Sequence, residues 1–179
     1  MLVAISIMAL ITITAIQFGG GMFARTDRES ILQQEAEQFL QYARFAEDKT
    51  VLTGEPIGLV IVPPETEAVW NYYWEHYRGG AWVQSGEPLQ SRQLPEDTEI
   101  RLMIEGEEID FTKILVEKEG EQEKRVPLLV FYPGGEVTPF RLTIYDDTDF
   151  QQQVFITSER TGRVEQLENE DELYAFFGL

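Results

Sequence analysis

The chain has no cysteine, a single histidine and few cations: 14 Lys+Arg stand against 32 Asp+Glu, a net charge of −18 over 179 residues. Each scarcity excludes something. Without cysteine there is no disulfide staple, no Cys-ligated zinc and no thiol nucleophile, while the redox compartment stays open. With so few cations there is no basic footprint for phosphate, which argues against nucleic acid as a partner. The same deficit argues against docking of the bulk of the chain on an anionic lipid surface. No repeat of fixed period is present. Aromatics, by contrast, make up 12% of the chain, too many for a disordered acidic protein, so a core is buried.

Charge is also missing from the start. Met1 to Phe18 carries none, and the first charged residue is Arg25. Eighteen helical residues rise roughly 27 Å, which spans a hydrocarbon core. A buried core helix would show a polar face, and a secretory signal peptide would need a charged n-region and a small-residue cleavage site. A membrane-inserted helix is the preferred reading over both. Three glycines at 19–21 follow, each weakening a helix by roughly 0.8–1 kcal/mol, and together they predict a soft joint. They follow an apolar run and no strand, so they are not a phosphate loop.

Thr26 and Glu29 have capping-box spacing ahead of a second helical stretch. There Leu32, Ala36, Phe39, Leu40, Ala43 and Ala46 form an apolar stripe at 3.6-residue spacing, with Ile31, Glu35 and Gln38 on the other side. The stripe is expected to pack on the chain's own sheet. Gly54 is the expected residue just past the helix end, and Pro56 forbids continuation.

Beyond Gly54 the pattern becomes short apolar runs broken by Gly, Pro and Asp. Strands are expected at 57–63 and 98–106, a hairpin at 68–84 turning at "RGG", and a loop at 85–97. A short strand is expected at 111–117 with a charged loop around Gly120. Two more hairpins are expected, at 128–147 around Pro133-Gly134-Gly135 and at 152–167 around Thr161-Gly162. One long helix followed by seven to nine strands without crossover helices predicts an α+β fold, the helix laid on antiparallel sheet in two layers. The divisions are 1–24 (membrane half and glycine joint), 25–54 (amphipathic half) and 55–179 (β domain).

Candidate chemistry is sparse. His76, without cysteine or a neighbouring triad, reads as a strand-face residue. Ser85 and Ser158 lack a nucleophile-elbow context. The acidic stretches "EGEEID" (105–110) and "YDDTDF" (145–150) are rich in oxygen but lack EF-hand spacing, and Asp is an ordinary turn former. No pair of carboxylates lies in a cleft-defining motif for glycoside hydrolysis. In the aromatic run, alternation buries Trp70, Tyr72 and Trp74 and turns Tyr73 and Tyr77 outward. Core packing is preferred over a partner-binding face that would include Trp82. No catalytic, cofactor or metal residue is assigned.

Three stretches carry a family likeness. "LVAISIMALITI" is similar to the interior of the type IV pilin helix. "VLTGEPIGLVI" (51–61) resembles the junction between helix and first strand in the minor pseudopilin H group of type II secretion. "LLVFYPGGEVTPFRLTI" (128–144) resembles that group's late hairpin. The likeness spans nearly the whole chain and implies a pilin-like fold. It further implies a structural, non-enzymatic role near the tip of a periplasmic pseudopilus that helps export folded proteins across the outer membrane. The partners it implies are other pseudopilins, inner-membrane lipid through Leu2–Phe18, and prepilin peptidase acting on a leader. The place it implies is the inner membrane, single-pass, with the β domain in the periplasm and Arg25 and Arg28 on that side; methylation also belongs to the family. The family's Gly-Phe-Thr-Leu-(Leu/Ile)-Glu stretch is not in the sequence, and Met1 stands just after the place of its glutamate. The expectation is therefore a chain whose leader and glutamate lie upstream. A minor pilin of type IV pili and a membrane-anchored periplasmic binding module remain as alternatives.

Overall fold

The computed structural model describes the backbone at residues 2–64, 69–114, 116–119, 122–159 and 163–167. Side chains are described at 27–64, 69–114, 125–159 and 163–167. Helix α1 runs unbroken over Leu2–Thr53, roughly 78 Å at ~1.5 Å per residue. It passes through the glycines at 19–21 and through Thr26–Glu29, so neither the soft joint nor the capping-box start interrupts the backbone. Glycine costs about 1 kcal/mol per residue, whereas stopping and renucleating a helix forfeits its cooperativity. Among the described residues no helix is long and apolar enough to cross a membrane. The side chains of Leu2–Phe18 lie outside them.

The helix ends as the sequence predicts. Gly54 sits at φ +72° and donates its N–H to the Thr50 carbonyl at 2.9 Å. Only a residue without a Cβ enters that region freely. The stripe Leu32, Ala36, Phe39, Leu40, Ala43 and Ala46 is 0–7% exposed, while Ile31 is exposed.

Twelve strands follow among the described residues, more than the seven to nine expected, because several pairings are only two or three residues long. The first sheet contains β1 (Ile57–Val62), β2 (Asn71–Arg78), β3 (Ala81–Gln84), β4 (Arg92–Gln93) and β9 (Leu129–Phe131). Its order is β3-β2-β1-β9, with β4 beside β3 on β2. The second contains β5 (Thr98–Ile104), β6 (Glu107–Glu108), β10 (Phe140–Asp146), β11 (Gln153–Ser158) and β12 (Glu165–Leu167), in the order β12-β11-β10-β5-β6. A separate ribbon pairs β7 (Val116–Glu119) with β8 (Gln122–Arg125). All pairings are antiparallel. The α+β reading with two sheets holds.

The strand at 57–63 and the hairpin at 68–84 form as expected, and β11 pairs antiparallel with β12 as the hairpin at 152–167 requires; its turn at Thr161-Gly162 and the charged loop at Gly120 lie outside the described residues. Gly79 and Gly80 both have positive φ, the two-residue turn that matches strand twist. Four expectations are corrected. The loop 85–97 contains β4, and its Leu89 and Leu94 are buried, so apolar anchors tie it to the core. The strand at 98–106 stops at Ile104, and Glu105–Gly106, both at positive φ, turn the chain back into β6. The segment 111–117 begins as a 3-10 turn at Phe111–Lys113, because the Asp110 carboxylate accepts the Thr112 N–H and favours a turn over a strand. The hairpin at 128–147 closes around Pro133-Gly134-Gly135, with the Tyr132 N–H on the Glu136 carbonyl at 2.8 Å and a bridge between Phe131 and Val137, but its arms then part into different sheets: β9 pairs with β1, and β10 pairs with β5 and β11.

That last change of sheet has a local cause. Thr138 donates its N–H to the Val130 carbonyl at 3.0 Å and accepts the Val130 N–H on Oγ1 at 3.0 Å. The side chain thus supplies an acceptor normally provided by backbone. Pro139 then has no N–H to donate, which favours leaving the ladder at that point, and the chain crosses to the second sheet.

The core lies between α1 and the inward faces of both sheets. Ile57, Leu59, Ile61, Tyr72, Trp74 and Phe131 come from the first; Ile100, Leu102, Leu142, Ile144, Val154 and Ile156 come from the second. Phe39 on the helix meets Tyr72 edge-on at 5.9 Å and Trp74 at 6.1 Å between ring centres.

Candidate functional site

The feature best built by the chain is the seat of α1 on the two sheets. Three alanines, Ala36, Ala43 and Ala46, are fully buried and let the helix backbone approach the sheets closely. Phe39 fills the space between them.

Polar contacts pin the upper end. Arg28 donates Nη1 to the Glu96 carbonyl at 3.0 Å and pairs through Nη2 with the Asp97 carboxylate. Its Nε lies 3.6 Å from Asp146 Oδ2. Asp146 is 2% exposed. Its other oxygen accepts the Thr148 N–H at 2.7 Å, the Thr148 hydroxyl and the Asp149 N–H at 3.2 Å. Burial pushes this carboxyl up, but the Thr148 and Asp149 donors and the Arg28 charge outweigh it and hold the group below its ordinary range. One turn further on, Gln33 and Gln166 exchange amide hydrogen bonds at 2.8 and 3.4 Å. They border a groove of about 270 Å³ also lined by Glu29, Gln152 and Gln153.

A second polar cluster lies midway along the helix. Arg92 of β4 donates to the Tyr42 hydroxyl at 3.3 Å and stacks its guanidinium over that ring at 5.7 Å. Glu35 stands in the same cluster. Its Oε2 is buried and finds no hydrogen-bond partner among the described residues. Burial pushes the Glu35 carboxyl up, with the Arg92 charge opposing. At the lower end Arg78 holds Glu55 through two parallel hydrogen bonds of 2.8 and 2.9 Å, fixing the chain just after the helix.

The residues singled out in the sequence are placed as follows. His76 Nδ1 is 3.4 Å from Ser85 Oγ, with His76 half-buried on β2 and Ser85 buried. Ser158 donates to the Glu159 carbonyl at 3.0 Å from β11 of the second sheet, away from the other two. Trp70, Tyr72 and Trp74 are buried and Tyr73 and Tyr77 lie outside the core, as alternation predicts. Tyr77 and Trp82 stack edge-on at 5.2 Å. Within 145–150, the Asp146 carboxylate serves its own turn and Arg28, and the Asp149 carboxylate accepts the Gln151 N–H and the Gln152 side-chain amide, each at 3.2 Å. Of those at 105–110, Glu108 lies 3.5 Å from Arg101 Nε, and the Lys113 ammonium and the Thr112 donors hold Asp110 down to about 2. Among the described residues no group of three His, Asp or Glu side chains is arranged to hold a metal ion. Sequence reasoning missed Arg28, Asp97 and Asp146 as one unit, because their separation of about 70 and 120 residues leaves no local signal.

A long helix seated through its second half on two antiparallel sheets, the seat locked by polar contacts at both ends, defines a pilin-like subunit. Comparison with known proteins narrows this. A family model described as "Type II transport protein GspH" matches residues 35–162, and the chain belongs to that family. A relative from Aeromonas hydrophila, "Type II secretion system protein H", is 27% identical over 176 residues, 96% of this chain and 91% of that one. The crystal structure of the minor pseudopilin EpsH from the type II secretion system of Vibrio cholerae superposes with a TM-score of 0.59 at 19% identity. It covers 78% of this chain and 94% of its own. The solution structure of E. coli GspH gives 0.52 at 17%, covering 78% and 89%. At these identities the two structures show the shared fold.

Proposed function

We propose that the chain is a structural minor pseudopilin of a type II secretion pseudopilus, placed near the filament tip and assisting export of folded proteins across the outer membrane. Membership of the GspH family is the observation that carries this reading, and the helix supports it. The side-chain contacts described for α1 run from Arg28 to Thr50, so the β domain is mounted on its second half. In this reading residues 1–24 form the membrane half, 25–54 the amphipathic half and 55–179 the periplasmic domain. Leu2–Phe18 rests in inner-membrane lipid before assembly and then packs among the helices of other pseudopilins. That exchange has a small net cost because both surroundings are apolar. Prepilin peptidase processes the subunit and methylation follows, as in the family. Charge complementarity of the acidic domain selects its neighbours. No step of this role calls for catalysis.

The test is deletion of the coding sequence in its host, followed by assay of exoprotein in the medium and of surface pili. Loss of secretion with pili intact, restored by the full-length chain, supports the reading. Loss of pili with secretion intact would instead make it a minor pilin. If neither changes, a membrane-anchored binding module takes its place.

A further inference from the structure

One groove of the domain is lined almost without charge. It lies where α1 meets β12 and the start of β11, and it holds about 270 Å³. Its walls carry four primary amides, Gln33, Gln152, Gln153 and Gln166, and Glu29 is their one ionised companion. Its floor is apolar, with Leu32 and Leu167 both buried. Such a patch stands apart in a chain of net charge −18. Gln33 and Gln166 exchange hydrogen bonds at 2.8 and 3.4 Å. A primary amide has two donors and an oxygen with two lone pairs, so after this exchange each oxygen keeps a lone pair and Gln166 keeps an N–H. Gln152 is 8% exposed. Its Nε2 donates to Asp149 Oδ2 at 3.2 Å, but its Oε1 is buried and finds no donor among the described residues. A buried acceptor left bare is destabilising, and the groove that Gln152 lines has room for the donor.

We propose that this groove seats a short, extended, uncharged segment of a neighbouring pseudopilin, held through its main chain. The inference rests on the reading of the chain as a pseudopilin subunit. Four observations choose this occupant. An extended main chain presents N–H and C=O groups in alternation, which the glutamine amides can pair with, and its N–H is the donor that Gln152 Oε1 lacks. β12 is the last strand in the order β12-β11-β10-β5-β6. Among the described residues no strand lies on its far edge, and extended peptides add to such edges through main-chain hydrogen bonds. The lining offers no cation and a single carboxylate, so neither an acidic nor a strongly basic segment is matched by charge. The groove opens at Glu29, just past the segment 1–24 that packs among other pseudopilin helices in that reading, so the chain that runs beside it in a filament is another subunit.

The test uses the full chain in its host, with photoreactive benzoylphenylalanine placed at one site per strain. Gln153 is exposed on the groove wall, and a probe there should crosslink to a non-helical segment of another pseudopilin, identified by mass spectrometry of the adduct. A second strain carries the probe at Ile7, within the segment that the pseudopilin reading places among other helices. Gln152→Leu keeps most of the side chain's bulk and removes the bare oxygen. It should reduce the Gln153 crosslink severalfold while the Ile7 crosslink persists, which shows that the subunit still folds and assembles. Gln166→Leu, on the part-exposed rim, is read in the same way, so the outcome does not hang on a buried site. An undiminished Gln153 crosslink in both variants overturns the proposal. A crosslink at Ile7 with none at Gln153 overturns it and leaves the pseudopilin reading standing, whereas no crosslink at either site overturns both. A Gln153 adduct within the same chain, or with the exported protein, overturns it in favour of that occupant.

Discussion

Arg28 and Asp146 face each other across the junction of helix and sheet, Nε to Oδ2 at 3.6 Å, the arginine one-third exposed and the aspartate almost wholly buried. The aspartate is also the hub of its own turn. Removing the cation leaves a buried anion with backbone and hydroxyl donors only, whereas removing the anion leaves those donors without an acceptor.

Asp146→Ala should therefore cost more than Arg28→Met: about 2–3 kcal/mol against about 1 kcal/mol, since donors stranded in a buried turn lose their whole bond. The Asp146 carboxyl titrates lower in the folded chain than in the unfolded one. Its stabilisation is complete above the unfolded value and disappears as pH falls through the folded one, below about pH 4. Urea midpoints between pH 5 and 3 should fall for the wild type and be flatter for Asp146→Asn.

Glu35 has the opposite sign. Its carboxyl titrates higher when folded because burial disfavours the charge, so ionised Glu35 weakens the fold and the penalty is relieved as pH drops through the raised value. Glu35→Gln should stabilise the chain at pH 7 by less than about 1 kcal/mol, discounted for partial exposure. The gain should vanish near pH 4. A loss of stability at pH 7 would show that the carboxylate is favourably held by Arg92.

Gly58 has ordinary negative φ, so its role is space. A Cβ there would meet Pro127 Cγ at 2.7 Å and Trp82 Cζ3 at 3.0 Å. The proline ring cannot turn aside. Gly58→Ala should cost about 1–3 kcal/mol through overpacking, read as a lower melting temperature.

Thr138→Val keeps the shape of the side chain and deletes the acceptor for the Val130 N–H. The expected loss is about 1–2 kcal/mol, with faster hydrogen exchange at Val130. Unchanged exchange there would mean that backbone closes the gap.

Legibility in the sequence followed the range of each signal. The stripe from Leu32 to Ala46, the Gly54 stop, the Gly79-Gly80 turn and the burial of Trp70, Tyr72 and Trp74 depend on neighbours within about four residues, and all are found where local pattern places them. The change of sheet at Thr138-Pro139 was not legible. A Gly-rich turn between two apolar runs looks the same whether its arms pair with each other or diverge, and the deciding event is one hydroxyl replacing one carbonyl. The Arg28–Asp97–Asp146 contact was hidden for the opposite reason: its parts read separately as a helix charge and two turn aspartates. At 145–150 the turn-former reading of the aspartates held, but sequence shows carboxylates without the donors they face, so Asp146's particular partners were not legible.

The placement of these contacts along α1 bears on how the subunit responds to tension. Leu32, Phe39 and Ala46 are strung out parallel to the helix axis, with Arg28 at one end and the Arg78–Glu55 clasp just beyond the other. A pull along that axis shears the whole row at once, whereas a sideways pull peels it turn by turn. The domain is therefore gripped most firmly in the direction a growing fibre would push it.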